Sequence, residues 1–169
     1  VTVDEAEKKI PDYINGKHRV EQRMMLQASV VTGSDRVSRM EVHALNDVVV
    51  GRGAVPQLLD IGVTIDGAPL VTYRADGVIA ATPTGSTGYA LSAGGPLMFP
   101  EARAILIQPL AAHISLQTGL VVAEDSAIEL RVGEGQEAVL SVDAFTDTKL
   151  DREDGVIVES SSHVALFLR

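Results

Sequence analysis

The sequence predicts a mainly β chain, an antiparallel β-sandwich-like domain with one or two short helices. Three observations carry that expectation. Short apolar runs alternate with polar residues at period two along much of the chain. Roughly ten such runs recur about every 8–14 residues, the spacing of sandwich strands. The joints between them hold the Gly, Asp and Pro residues that turns require. With 169 residues the chain has the length of one domain around a single core, and we read 1–169 as one unit.

The elements follow in order. Thr2 and Glu5 match a capping box, and the acidic-then-basic order of "DEAEKKI" suits a helix, which Pro11 is expected to stop. From Val20 the period becomes two. Val20, Met24, Leu26, Ala28 and Val30 are expected on one face of a strand, with Glu21, Arg23, Gln27 and Ser29 on the other. "GSD" at 33–35 reads as a turn, and Met40, Val42 and Ala44 alternate with Arg39, Glu41 and His43 in a second strand. Ile61, Val63 and Ile65 lead to Asp66-Gly67, the dipeptide of a type I′ turn, and "PLVTY" returns as the other arm of a hairpin. "DGVIAA" is the next strand. Ile128, Leu130 and Val132 alternate with charged residues, and "AVLSV", "GVIVE" and "HVALFL" supply three further runs.

Composition restricts the partners. The hydrophobic share of 46% against 22% charged residues belongs to a folded chain. A net charge of −9 supplies no basic field for nucleic acid or an anionic membrane. Cysteine is absent, which removes disulfides, thiolate metal sites and a cysteine nucleophile. No apolar run approaches the roughly 20 residues of a membrane helix, and the N-terminus has no leader pattern, so a cytoplasmic protein is expected.

The stretch "ATPTGSTGYALSAGGP", Ala81–Pro96, holds five Ser or Thr and four Gly in sixteen positions. It suits wrapping a polar ligand better than filling a core. Ser86 or Thr87 is placed to cap a short helix over "GYALSA", which Gly94-Gly95-Pro96 would end, and such a helix start suits phosphate or carboxylate. Common sites are excluded in this loop. It has no Walker lysine, since no Lys lies between Lys17 and Lys149. Ser86 has Thr84 where a nucleophile elbow needs glycine. The dinucleotide fingerprint Gly-x-Gly-x-x-Gly is missing.

Two smaller groups stand out. Asn46-Asp47 interrupts the run between "HAL" and "VVV". An amide can match a base edge and a carboxylate can accept from ribose hydroxyls, although an Asx turn before a buried strand is an equally simple reading. In "RADG", Arg74 can face phosphate and Asp76 can accept from an amide or ribose; the alternative is a turn with a surface ion pair. The four histidines show no metal-ligand spacing and read as structural.

Taken together, "ALNDVVV", "RADGVIAATPTGSTGYALSAGGP" and "LSVD", in that order and with those gaps, resemble the C-terminal domain of NAD kinases. The resemblance implies a domain that binds NAD while ATP or polyphosphate, with Mg2+ or another divalent cation, phosphorylates the adenosine ribose 2′-hydroxyl to give NADP. By motif position it implies NAD contacts from Asn46, Asp47, Arg74, Asp76, Thr84, Thr87, Gly88, Tyr89 and Ser92. The catalytic Gly-Gly-Asp-Gly segment of the family does not occur in this sequence, so catalytic residues are expected in the protein's own N-terminal domain, and the chain by itself is expected to be inactive. A homo-oligomer, dimer or tetramer, is also implied.

The sequence departs from the family pattern at Gly88, where Ala is usual, at Thr118-Gly119, where Arg-Pro is usual, and at Ala144-Phe145, where Gly-Gln is usual. Two other readings compete with it. A lipid kinase of the diacylglycerol or sphingosine type would need an apolar groove where Asn46, Asp47 and Tyr89 stand. A noncatalytic sandwich would use the glycine-rich loop only as a tight connection.

Overall fold

The computed structural model describes residues 2–33, 36–53, 57–113, 117–151 and 153–169. Helix α1 spans Val3–Ile14. It is followed by β1 (Val20–Thr32), β2 (Val37–Ala44), β3 (Asp47–Arg52), β4 (Leu59–Ile65), β5 (Ala68–Ala75) and β6 (Gly77–Ala81). A single 3-10 turn, Gly85–Thr87, leads to the one-turn helix α2 (Tyr89–Ser92). Then come β7 (Ala104–Leu110), β8 (Leu120–Ala123), β9 (Ile128–Val132), β10 (Ala138–Val142), β11 (Thr146–Leu150) and β12 (Asp154–Leu168). The expected fold class holds: two six-stranded antiparallel sheets, ordered β2-β1-β12-β9-β4-β5 and β11-β10-β3-β6-β7-β8.

The core lies between the sheets. Leu26, Ala28 and Val30 of β1, Leu59 and Ile61 of β4, Leu130 of β9 and Val156 and Val158 of β12 meet Val48 and Val50 of β3, Ile105 and Ile107 of β7 and Leu140 of β10. Each fully buried Leu or Ile contributes about 1.5–3 kcal/mol by leaving water. A second, smaller cluster sits on the outer face of the second sheet, where Ala90 of α2 covers Ile79, Ala81, Leu106 and Leu110. Strand β6 is therefore buried on both faces, which explains why "GVIAA" is continuously apolar. The position of α2 over this face decides where the polar loop comes to rest.

Several local expectations hold. Thr2 caps α1, accepting from the Glu5 N–H at 3.3 Å while the Glu5 carboxylate accepts from the Thr2 N–H at 2.9 Å. Asp66 and Gly67 have φ of +50° and +79°, the pair of left-handed residues that a type I′ turn needs. Of the turn expected at 33–35, Gly33 has φ of +71° and residues 34–35 lie outside the described residues.

Others are corrected. Pro11 does not stop α1, which runs on to Ile14. A proline removes one N–H and crowds the carbonyl four residues back; that carbonyl belongs to exposed Glu7, where water can satisfy it, and the Pro11 carbonyl itself accepts from the Asn15 N–H at 3.0 Å. On β1 the expected faces are inverted at the start. Val20 is 48% exposed, whereas Glu21 and Arg23 are 3% and 7% exposed. The change falls at an irregularity between Met24 and Leu26, where Met25 alone stands opposite residues 161–163 of β12; such a bulge breaks the ladder locally and re-aims the side chains beyond it. "GVIVE" and "HVALFL" are one continuous strand, and β7, β8 and β11 are additional to the strands expected. No helix among the described residues is long and apolar enough to cross a membrane.

Candidate functional site

The glycine-rich loop is tied to the bend between β2 and β3. At the end of β6, Thr82 donates its hydroxyl to the Leu45 carbonyl at 2.7 Å and its N–H to the Asn46 carbonyl at 2.9 Å, and its hydroxyl accepts from the Gly85 N–H at 3.0 Å. Gly85 then lies directly on Asn46. A Cβ at position 85 would stand 2.1 Å from the Asn46 carbonyl oxygen, so glycine is required for the loop to come this close. The capping expected of Ser86 or Thr87 does not occur. The N-cap of α2 is Gly88, with no side-chain cap, because both hydroxyls point backwards along the 3-10 turn. Ser86 donates to the Pro83 carbonyl at 2.7 Å and Thr87 to the Thr84 carbonyl at 3.1 Å. A helix of one turn carries little dipole, so polar contacts here would come from the hydroxyl and N–H groups of the loop.

On the other side, Asp143 fixes the Asn46-Asp47 bend. Its carboxylate accepts from the N–H groups of Leu45, Asn46 and Asp47 at 2.7, 2.7 and 3.0 Å. Asp143 stands in the turn between β10 and β11, where it and Ala144 have φ of +49° and +57°. Ala144 therefore occupies a left-handed conformation that costs an L-residue about 1–2 kcal/mol.

These pieces enclose a cavity of about 420 Å3, with Val49 and Ser141 as its floor. Asn46, Asp47, Thr84, Thr87, Gly88 and Tyr89 all line it, as do Asp143 and Ala144. The Tyr89 side chain stands half-exposed on α2 as a wall. Val49, Ser141 and Tyr89 are shared with an adjoining cleft of about 590 Å3 that holds Asp76 and Arg52. There Arg52 pairs with Asp76 at 3.0 Å. The two spaces form one groove in the size range of small-molecule sites.

Arg74 and Ser92 do not line either space. Ser92 is exposed on α2. Arg74 is exposed on β5, because the chain crosses from the first sheet to the second between Arg74 and Gly77 and leaves Arg74 behind. The cation beside the groove is Arg52, which the sequence reading missed; its signal was an arginine set between two glycines at the end of a buried strand. Asp143 was also missed as a site residue. Its signal was the motif "LSVD", which ends on it, and its place straight after the "AVLSV" run.

Residues 45–169, which contain the bend, the loop and the turn that fixes them, match the family model described as the ATP-NAD kinase C-terminal domain. The chain belongs to this NAD kinase family. It is 38% identical over 156 residues to the NAD kinase of Chloroflexus aurantiacus, a match covering 92% of this chain and 56% of that protein. Two solved structures have the same fold. One is yeast NADH kinase complexed with NADH, with a TM-score of 0.84 and 33% identity over 94% of this chain and 46% of the yeast chain. The other is an NAD kinase from Archaeoglobus fulgidus in complex with ATP, with a TM-score of 0.80 and 27% identity over 97% of this chain and 60% of that one. The chain thus spans little more than half the length of the curated NAD kinases it matches.

Among the residues that line the groove of this NAD kinase domain, electrostatics single out Asp47. Burial, and next the neighbouring charge of Asp143, push the Asp47 carboxyl above the ordinary carboxylate range. An acid whose pKa is raised by folding favours the folded state when protonated, and that contribution is lost as pH rises through its folded pKa. Asp47→Asn is therefore expected to raise the melting temperature at pH 7, with the gain fading as pH falls and gone below about 3, where Asp47 is protonated in both states. Melting curves across that range check the sign. A polar group kept at a cost to stability is the pattern of a binding site.

Proposed function

We propose that this chain is the NAD-binding domain of an NAD kinase, in which the 2′-hydroxyl of the adenosine ribose receives a phosphoryl group from ATP or polyphosphate. The observation that carries this reading is the convergence of the Asn46-Asp47 bend and the Thr84–Tyr89 loop on one groove. Asn46 offers an amide to a base or carboxamide edge, and Asp47 accepts from ribose hydroxyls. Tyr89 supplies a stacking face. Arg52 and Asp76 extend the polar lining along the groove. The NADH and ATP complexes of the two structural relatives support both the acceptor and the donor class.

Phosphoryl transfer to one hydroxyl of a flexible dinucleotide depends chiefly on positioning and charge stabilisation. This chain's part is the positioning. Its residues do not fit a divalent-cation site. Among the described residues no three imidazole or carboxylate groups converge, and the Asp143 oxygens already accept from three N–H groups. Mg2+ or another divalent ion would come with the donor phosphates.

Catalysis then belongs to a further, N-terminal domain of the enzyme. Two exposed apolar surfaces suit such a neighbour. Helix α1 has no buried residue although Val3, Ile10 and Ile14 are apolar, and Val20, Leu166 and Leu168 are exposed at the paired ends of β1 and β12. A cytoplasmic homo-oligomer completes the proposal. Calorimetric titration with NAD tests it. The wild-type chain is expected to bind NAD, Asn46→Ala to bind at least tenfold more weakly, and neither to make NADP with ATP and Mg2+. A wild-type chain that ignores millimolar NAD, or steady NADP formation by this chain alone, contradicts the proposal.

A further inference from the structure

The start of β1 carries two ionised side chains that the sandwich core does not need. Beyond Leu26, β1 no longer pairs with β2, and its first residues form a two-stranded ribbon with the end of β12. One face of this ribbon buries Glu21 and Arg23. The Glu21 carboxylate meets the Nε of Arg23, the Nε of Arg169 at 2.9 Å and the guanidinium of Arg19 at 3.8 Å. Arg23 in turn lies over the Phe167 ring, with its guanidinium carbon 4.7 Å from the ring centre. Its planar fork is thus fixed on one side by a carboxylate and on one face by an aromatic ring. Its Nη1 donates to the hydroxyl oxygen of Thr84 at 3.1 Å, and Thr84 lines the groove.

A guanidinium only donates, and a threonine hydroxyl has one proton and two lone pairs. Toward Arg23, Thr84 must therefore act as acceptor, and its proton is left for another partner; among the described residues it has none. Thr87 is the opposite case. Its proton is committed to the Thr84 carbonyl at 3.1 Å, so it offers lone pairs. The two threonines present one donor and one acceptor to the same groove.

We propose that Arg23 is a positioning residue of the groove: held by Glu21 and Phe167, it fixes the Thr84 hydroxyl as a donor to an acceptor oxygen of the bound dinucleotide. This rests on the NAD-binding reading above for the ligand, but not for the Arg23 to Thr84 link. A double-mutant cycle with NAD as titrant tests the functional half. Arg23→Gln and Thr84→Val are each expected to weaken NAD binding about tenfold, and the double variant also about tenfold, because the second change removes nothing that the first left. A loss near a hundredfold in the double variant, or an Arg23→Gln variant that binds like wild type, overturns the proposal.

Side-chain 15N–1H spectra of Arg23 test the link without ligand, and do so even if Arg23→Gln fails to fold. Its guanidinium signals are expected to be protected from exchange in the wild-type chain and to shift in Thr84→Val. Unshifted signals overturn the link itself. Shifted signals in a chain that does not bind NAD uphold the link and refute only the dinucleotide reading.

Discussion

Gly85→Ala is expected to abolish measurable NAD binding and to lower folding stability by about 2–3 kcal/mol. The methyl group would lie 2.1 Å from the Asn46 carbonyl oxygen, 2.5 Å from its carbonyl carbon and 2.8 Å from its Cα. All three are backbone atoms, so no side chain can rotate away. The loop would have to lift from the bend. In doing so it would strain the Thr82 bonds to Leu45 and Asn46, and overpacking of this kind costs about 1–3 kcal/mol before any hydrogen bond is lost. Gly88→Ala is the natural control. Its Cβ would meet nothing nearer than the Gly85 carbonyl at 3.4 Å, an ordinary contact, and alanine is the residue that the NAD kinase pattern usually carries there. Denaturant unfolding of the two variants should differ by about 2 kcal/mol or more. If Gly85→Ala melts and binds as wild type does, the close seat of the loop on Asn46 is wrong.

Asp143→Ala is expected to cost about 3–4 kcal/mol and to free the Asn46-Asp47 bend. Three backbone N–H groups donate to this carboxylate. Hydrogen bonds to a charged group are worth about 1.5–3 kcal/mol each, although bonds sharing one acceptor group do not add in full. Alanine would also have to adopt the φ of +49° that Asp and Asn tolerate better. Asp143→Asn separates the two causes. It keeps the turn and one acceptor oxygen but loses the charge, so an intermediate loss is expected. Because the charge of Asp143 helps to raise the Asp47 carboxyl, either variant should also move the Asp47 titration downward. Carbon-detected titration of Asp47 beside unfolding curves measures both. Stability unchanged in Asp143→Ala would remove Asp143 as the anchor of the site.

Most strands that were legible in the sequence are buried mainly on one face, and the doubly buried β6 was legible as a short apolar run. Alternation placed β2, β4, β9 and most of β1, and Asp66-Gly67 identified its turn, with β5 as the returning arm, because the two-residue hairpin allows little else. The strands that were missed have no such alternation. β7 is buried on both faces and contains Gln108 and Pro109, β8 has four residues, and "TDTKL" of β11 has the composition of a loop. At the start of β1 the periodicity was sound but the face was reversed, since the register shift before Leu26 leaves no mark on composition.

The groove divides in the same way. Asn46-Asp47 and the Thr84–Tyr89 loop stood out because polar or glycine-rich residues interrupt apolar strands, and their meeting in space follows from β3 pairing with β6, Asp47 opposite Ala81. Asp143 reaches the groove from the turn after β10 and Arg52 from β3, while Arg23 of β1 bonds Thr84 at its edge. Their roles come from tertiary contacts across up to 98 positions, which no local pattern encodes. Arg74 lies off the groove for the converse reason. It is near Asp76 in sequence, but it stands on β5 of the first sheet, whereas Asp76 is in the bend that leads into β6 of the second.

The central claim is that the bend and the loop grip opposite sides of one dinucleotide. A crystal structure of this chain with NAD tests it most directly. The account predicts NAD lying over Val49 and Ser141, with Asn46 or Asp47 on one side and Thr84 or Tyr89 on the other, each in direct contact. NAD bound elsewhere on the surface, or touching the loop while Asn46 and Asp47 remain beyond hydrogen-bond reach, would contradict it.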